Sequence, residues 1–241
     1  MGRVSPSQVY PGFSRDGFDF SRPGPGAPWP ARGVALSQDR RVPIFTQGAQ
    51  SDPTGWNWGT VRAISAGGLT IDGDELRFFV TGSSVTTGPL SQTTGVATLR
   101  RDGFASYASD IDGPGVLTTK VLRWDSAATA LFVNMQRLNG GAGQVTAEIL
   151  DAAGTVQEPF SKGNALPTSG DSTRAQLRWR NAGNSSLLAL RHRELRLRFH
   201  LDGARLFSFW ASAGACGASD GWVAAGGRGF VGPRDTLGRC V

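Results

Sequence analysis

Short segments rich in Val, Leu, Phe and Thr follow one another along this chain, and Gly, Asp, Asn or Pro residues separate them. The segments are GTVRAIS, LTIDG, ELRFFVTG, GVATLRR, VLTTKVLRW, TALFVNMQ, QVTAEILDA, RAQLRW, ELRLRFHLD and ARLFSFWAS. Runs of β-branched and aromatic residues of this length, bounded by turn residues, are typical of β-strands. No segment carries sustained helical periodicity. The pattern predicts an all-β protein.

Alternation of apolar and polar residues is clearest in RELRLRFHL. The apolar face of this segment holds Leu195, Leu197, Phe199 and Leu201, and the other face holds Glu194, Arg196, Arg198 and His200. Side chains two residues apart share one face of a strand, so we expect one buried face and one solvated face. We expect both histidines of the chain, His192 and His200, to be surface residues of this strand. Two packed antiparallel sheets suit such alternation.

The stretch RDGF occurs twice, at 15–18 and at 101–104. Asp-Gly between strand-like segments is a signal for a β-hairpin, because Gly accepts the positive φ of a tight turn. We therefore expect a β-turn at each copy. The acidic residues Asp72, Asp74 and Glu75 likewise fall on a predicted hairpin tip, where Asp and Gly favour the turn.

The net charge of +6 and the pI near 10.3 come almost entirely from scattered Arg residues, since only Lys120 and Lys162 are lysines. Because a nucleic-acid surface needs clustered positive charge, we expect no nucleic-acid partner. No apolar run approaches the roughly 18 residues of a membrane helix, so we expect no membrane partner. The N-terminal stretch lacks the apolar core of a signal peptide. We expect an extracellular or secretory location only if the natural N-terminus lies upstream of Met1.

The two cysteines, Cys216 and Cys240, lie 24 residues apart with no CxxC motif and no neighbouring His. This spacing argues against a zinc site, and the sequence predicts no metal and no cofactor. The spacing is compatible with two states of the cysteines. One is a disulfide that closes the tail in an oxidising compartment, and the other is a pair of free thiols. Asn184 begins the only glycosylation sequon, which matters in a protein exported from a eukaryotic cell.

The run GVATLRRDGFASYAS…GVLTTKVLRW…LFVNMQ…GQVTAEILDAAGTVQEPFS…SGDSTRAQLRW…RELRLRFHLDGARLFSFW resembles the C-terminal half of glycoside hydrolase families 32 and 43. In that group a five-bladed β-propeller precedes a β-sandwich, which opens with a phrase like LRRDGFAS at 99–106. Upstream, FSRDGFDFSRP and GWNWGTVRAISAGGLTIDGDELRFFVTG are similar to the last blades. The resemblance covers roughly residues 8–212. It implies a partial propeller at 1–96, an antiparallel, concanavalin-like β-sandwich at 97–212 and a Gly-rich tail at 213–241.

The same resemblance implies that the catalytic blades are missing. Five blades of about 40 to 50 residues need more than about 200 residues, and only residues 1–96 precede the sandwich. Glycoside hydrolysis needs two carboxylates about 5–10 Å apart, and no such pair can be assigned in this chain. We therefore expect the C-terminal part of a glycosidase-like protein that acts on carbohydrate and is inactive alone. The alternative is a non-catalytic carbohydrate-binding or structural module.

The candidate carbohydrate site is the motif GWNWGTVR, which contributes Trp56, Asn57, Trp58 and Arg62. An exposed Trp ring offers a flat apolar surface to a sugar ring, and Asn and Arg can bond its hydroxyls. The resembling family often has Asp where Asn57 stands, which weakens any acid, base or metal role there. Alternatively, one or both Trp rings pack between the blades.

Overall fold

The structure is a computed structural model that describes residues 12–14, 18, 20–21, 60–62, 68–84, 91–109, 113–124, 127–138, 143–223 and 225–240. Its regular structure is mostly antiparallel β-sheet, which confirms the all-β prediction. The chain divides into two compact units, Met1–Leu99 and Arg100–Val241. In the part of the chain that the structure describes, no helix is long and apolar enough to cross a membrane.

The described residues of the first unit form a two-stranded sheet and a four-stranded sheet. The strands are β1 (Phe13–Ser14), β2 (Phe20–Ser21), β3 (Thr60–Arg62), β4 (Leu69–Asp72), β5 (Glu75–Ser84) and β6 (Ser91–Arg100), whose last residue belongs to the second unit. β1 pairs with β2, whereas β3, β4 and β6 all pair with β5. Along β5, the buried residues Leu76, Phe78 and Val80 alternate with exposed Arg77 and Phe79, as a half-buried strand requires.

The turn between β4 and β5 places the acidic residues of the first unit. Asp72 pairs with Glu75 in the antiparallel register, so Gly73 and Asp74 form a two-residue loop. Gly73 has a φ of 58°, which Gly adopts without steric cost. Arg77 Nη2 lies 2.6 Å from Asp72 Oδ2. The prediction of a hairpin tip is confirmed here.

The second unit contains ten described strands and one short helix. They are β7 (Tyr107–Ala108), β8 (Gly115–Thr118), β9 (Leu122–Trp124), β10 (Ala130–Arg137), β11 (Gln144–Asp151), β12 (Ala165–Leu166), β13 (Thr168–Ser169), β14 (Ser172–Trp179), α1 (Asn184–Leu188), β15 (Arg193–Asp202) and β16 (Ala204–Ser212). The sequence did not predict α1, because five residues are too few to show a helical period.

These strands form two antiparallel sheets. Sheet I has the order β12-β14-β10-β16-β7, and sheet II has the order β13-β11-β15-β8, with β9 also paired to β15. The chain passes from sheet II to sheet I at Gly203, between β15 and β16. Gly203 has a φ of 56°, a value that residues with a Cβ rarely adopt.

Side chains of the two sheets meet in one hydrophobic core. The ring centroids of Phe199 in β15 and Phe209 in β16 lie 5.1 Å apart. Trp179 of β14 donates its indole N–H to the Ala147 carbonyl of β11 over 2.9 Å. The Phe160 ring meets Trp179 edge-on, with 5.2 Å between centroids. Burial of these large rings supplies much of the stability of the unit.

The predicted alternation of β15 is confirmed. Leu195, Leu197 and Phe199 are 0% exposed and Leu201 is 1% exposed, so the apolar face lies in the shared core. Glu194 on the other face is exposed.

The predicted surface position is confirmed for His192, which is exposed, but it is wrong for His200. The His200 side chain is only 15% exposed, and its Nε2 lies 2.9 Å from Glu148 Oε2 of β11. This carboxylate covers the imidazole that the sequence pattern placed in solvent. His192 precedes β15 and has a φ of 66°, so it belongs to a turn and not to the strand.

Truncation of Leu197 to Ala should lower the free energy of unfolding by about 2–5 kcal/mol, because it leaves a cavity in the shared core. The matched control is Glu194→Ala on the exposed face of the same strand, which should change the free energy by less than about 0.5 kcal/mol. A urea titration measures both. Equal losses would contradict the assignment of the two faces.

Candidate ligand pocket

The carbohydrate rim predicted in the first unit falls mostly outside the described residues. Trp56, Asn57 and Trp58 are not among them, so their role stays a prediction. Arg62 is the last residue of β3, where its backbone pairs with Thr81 of β5. The first RDGF copy is also largely outside the described residues, although the strands on either side of it, β1 and β2, pair with each other.

The two predicted modification sites lie in the second unit. Asn184 of the sequon is the first residue of α1, and its glycosylation stays a prediction. Cys216 and Cys240 form a disulfide with 5.3 Å between their Cα atoms, so the structure has the first of the two alternatives that the sequence left open.

The β-turn expected at the second RDGF copy is confirmed, although the strands on either side of it do not pair as a hairpin. The Gly103 N–H donates to the Arg100 carbonyl over 2.9 Å. Asp102 and not Gly103 takes the positive φ, at 52°, which Asp tolerates better than most residues. Gly is needed at 103 for a different reason, since a Cβ there would lie 2.7 Å from the Arg100 carbonyl oxygen. The flanking strands β6 and β7 belong to different sheets.

The buried side chain of Asn134 in β10 fixes this turn to sheet I. Asn134 is 1% exposed and donates its amide N–H to the Arg101 carbonyl over 2.6 Å. Its amide oxygen accepts a 2.6 Å bond from Arg100 Nε, and Arg100 Nη2 donates to the Met135 carbonyl. Both polar ends of the amide are therefore satisfied, as burial requires.

The side chain of Arg101 joins the turn to the C-terminal tail, which we define as residues 213–240. Arg101 Nη2 lies 2.6 Å from Asp235 Oδ2. Asp235 Oδ2 also accepts a hydrogen bond from Ser219 Oγ, and Asp235 Oδ1 accepts one from the Leu237 N–H. The Phe230 ring lies 5.8 Å from the Arg101 guanidinium. The Asp235 carboxylate thus joins Ser219 and Leu237 of the tail to Arg101 of the turn.

The tail lies against the face of sheet I that points away from the core. Trp210 Nε1 donates to the Gly217 carbonyl over 3.0 Å, and Ser212 Oγ donates to the Ala218 carbonyl over 2.7 Å. A Cβ at Gly217 would come within 2.9 Å of the Phe132 ring and 2.8 Å of the Arg174 side chain. Only Gly allows this close approach.

A pocket of about 150 Å³ remains between the tail, the turn and sheet I. Its lining includes Arg101, Asp102, Arg174, Ser208, Trp210 and Asp235. Two atoms of this lining, Arg101 Nη1 and Ser208 Oγ, are buried and have no hydrogen-bond partner. Leaving such a group unpaired costs about 1–3 kcal/mol, so each one needs an explanation.

The electrostatics of the pocket are mixed. Burial raises the pKa of Asp102 above its usual range; the positive charge of Arg101 opposes the rise, and the negative charge of Asp235 adds to it. The Arg174 side chain packs against two glycines of the tail, since a Cβ at Gly217 or at Gly238 would lie 2.8 Å or less from it. The lining of the pocket therefore combines a cationic side chain with a carboxyl whose pKa is raised.

A second pocket, of about 180 Å³, lies beside β14 and is lined by residues that include Phe160, Leu177 and Trp179. None of its lining residues has a buried polar atom without a partner among the described residues. No group of three His, Cys, Asp or Glu residues in the described ranges could hold a metal ion.

Sheet II carries a polar cluster on its solvent side. Glu148 Oε2 lies 2.9 Å from His200 Nε2 and 3.4 Å from Arg198 Nη1, and its Oε1 accepts from the Lys162 N–H. Burial alone would raise the pKa of Glu148, but the hydrogen bonds and charges of these neighbours outweigh it and hold that pKa below the usual range. These contacts of Glu148 are all with other residues of the second unit, so we infer that the cluster stabilises the fold.

Sequence reasoning missed the pocket because its residues come from four distant parts of the chain. The signal that was present is the second RDGF stretch, since it supplies Arg101 and Asp102. The cysteine pair was a weaker signal, since a Cys216–Cys240 bond requires the tail to return to its own start.

Removal of the disulfide should loosen the tail. In the chain-entropy model, a disulfide between residues 24 positions apart stabilises the folded state by about 3 kcal/mol. The double variant Cys216→Ala, Cys240→Ala should therefore lower the free energy of unfolding of the second unit by about 2–4 kcal/mol. Urea titration of the oxidised wild type and of the variant measures this difference. A loss below about 0.5 kcal/mol would show that other contacts hold the tail.

The Glu148 cluster should make the fold sensitive to acid. A carboxyl whose folded pKa lies below its unfolded value of about 4.3 stabilises the fold above that pH and loses this contribution as the pH falls through the folded pKa. In urea titrations, wild type should exceed Glu148→Gln in stability at pH 7, and this gap should shrink by pH 3. A gap that does not change with pH would contradict the lowered pKa.

No protein-family model, no curated protein and no solved structure matches this chain. The resemblance to glycoside hydrolase families 32 and 43 therefore stays a prediction.

Proposed function

We propose that the chain is the C-terminal part of a glycosidase-like protein, which binds carbohydrate and does not hydrolyse it alone. In this proposal the first unit is the end of a five-bladed β-propeller and the second unit is an antiparallel β-sandwich.

The observation that carries the proposal is the boundary between the two units. It falls between Leu99 and Arg100, at the start of the phrase 99–106 with which the sandwich of the resembling hydrolases opens. The sequence prediction set this boundary at residue 96, three residues earlier. Two five-stranded antiparallel sheets with one core support the assignment of the second unit.

The contacts of the two pocket carboxyls, Asp102 and Asp235, support the proposal that the chain does not hydrolyse glycosides alone. A glycosidase needs one carboxylate as acid and a second as nucleophile or base. Partial burial raises the pKa of Asp102, one carboxyl of the pocket lining. Asp235 is held by Arg101, Ser219 and the Leu237 N–H, so it is committed to the tail and is not free to attack a sugar. The pocket thus lacks the second member of a catalytic pair.

A screen of purified 1–241 against aryl glycosides and oligosaccharides tests the enzymatic part. We expect no hydrolysis above background. Turnover that Asp102→Asn or any other single carboxylate substitution abolishes would contradict the proposal, because it would identify a working acid or nucleophile in this chain.

A glycan array tests the binding part. We expect weak binding, in the millimolar range typical of a shallow site with few contacts, that Trp56→Ala or Trp58→Ala removes. The matched control is Trp222→Ala, because Trp222 is 71% exposed and lies in the tail. Binding to no glycan at all would leave a structural module as the better description of the chain.

A further inference from the structure

The middle of the tail forms a loop whose two ends are held together. We name residues 220–235 the tail loop. Trp222 and Arg234 pair as an isolated antiparallel bridge, which closes the loop near its base. The next residue, Asp235, pairs its carboxylate with Arg101 of the turn. The base of the tail loop is therefore fixed to the rest of the second unit.

Two large apolar side chains of the tail loop are exposed to solvent. Trp222 is 71% exposed and Val231 is 98% exposed. The Arg234 guanidinium lies over the Trp222 ring, 4.5 Å from its centroid, and donates to the Asp220 carbonyl over 2.9 Å. These contacts hold the indole in place while most of its surface stays in water. Since a rigid aromatic side chain loses little conformational entropy on binding, Trp222 has the properties of an interface hot spot.

The tail loop also carries positive charge that no carboxylate offsets. The two acidic residues of the tail, Asp220 and Asp235, are already paired with arginines. Among the described residues, no carboxylate forms an ion pair with Arg228 or Arg234. Guanidinium groups pair preferentially with carboxylates and phosphates. The loop therefore offers an apolar ring beside two cations that can still bind an anion.

The amount of charge narrows the partner to an acidic protein segment. The chain has a net charge of +6, so a second copy would be repelled. Two cations are few for a membrane surface, which is recognised by clusters of about 4–8 Lys or Arg residues. They are also few for nucleic acid, because that binding depends on several neutralised phosphates. A protein segment needs only one or two carboxylates beside an apolar side chain, and Trp and Arg dominate the energetics of such interfaces.

We propose that the tail loop is a docking site for an acidic protein segment. An apolar side chain of the partner packs on Trp222, and carboxylates of the partner pair with Arg234 and Arg228. This docking goes beyond the proposed carbohydrate function and does not depend on it. Trp222→Ala should therefore remove docking and leave any glycan binding by the first unit intact.

Isothermal titration of the full chain with a random copolymer of Glu and Tyr tests this proposal, because the copolymer offers carboxylates beside apolar rings. Polyglutamate lacks the rings and should bind more weakly by about tenfold or more. Trp222→Ala and Arg234→Gln should each weaken copolymer binding by about tenfold or more.

Matched variants separate the tail loop from the general positive charge of the chain. Arg178→Gln removes the same charge from an exposed position of β14, and Tyr107→Ala removes an aromatic ring that is 66% exposed in β7. Each should change the affinity for the copolymer by less than about twofold, because solvent and salt screen distant surface charges. Trp222→Ala should also keep the thermal midpoint close to that of wild type, because exposed side chains contribute little to stability.

Four results would overturn the proposal. Failure of the wild type to bind the copolymer would exclude an acidic partner. Equal weakening by Arg178→Gln and Arg234→Gln would attribute binding to the net charge of the chain. Binding to phosphatidylcholine vesicles that contain phosphatidylserine, without binding to the copolymer, would make the loop a membrane contact. A thermal midpoint for Trp222→Ala as low as that of Leu197→Ala would show that the chain itself covers the indole.

Discussion

The ion pair between Arg101 and Asp235 is the interaction on which the pocket depends. Its 2.6 Å contact joins side chains that are only 9% and 14% exposed. Burying two charges is favourable only when the remaining hydrogen-bonding capacity is satisfied, and removing one partner of such a pair costs about 3–5 kcal/mol. Ser219 and the Leu237 N–H satisfy Asp235, so its carboxylate is complete. The hydrogen bonds of Arg101 are not complete, because its Nη1 is buried and has no partner.

This arrangement explains why the tail is ordered although its described residues form no regular strand or helix. A Gly-rich segment loses much conformational entropy on folding and needs specific contacts to compensate. Asp235, the Cys216–Cys240 disulfide and the bonds from Trp210 and Ser212 provide such contacts at both ends of the tail. The same contacts that stabilise the tail also shape the wall of the pocket.

The sequence predicted the local structure well and the long-range structure poorly. Alternation in β15 identified its core face, because burial of every second residue is a property of one strand. The hairpin at Gly73 was predictable for the same local reason. Pairing of Arg101 with Asp235 spans 134 residues, and no local pattern encodes such a contact. His200 was misjudged because its partner Glu148 lies on another strand.

Urea titration of wild type and of Asp235→Asn tests most directly the central claim, that the pair between Arg101 and Asp235 holds the tail against the turn. The variant should lose about 3–5 kcal/mol of the free energy of unfolding, because it leaves the buried guanidinium of Arg101 without its carboxylate. A loss below about 0.5 kcal/mol would contradict the claim, because other contacts would then hold the tail.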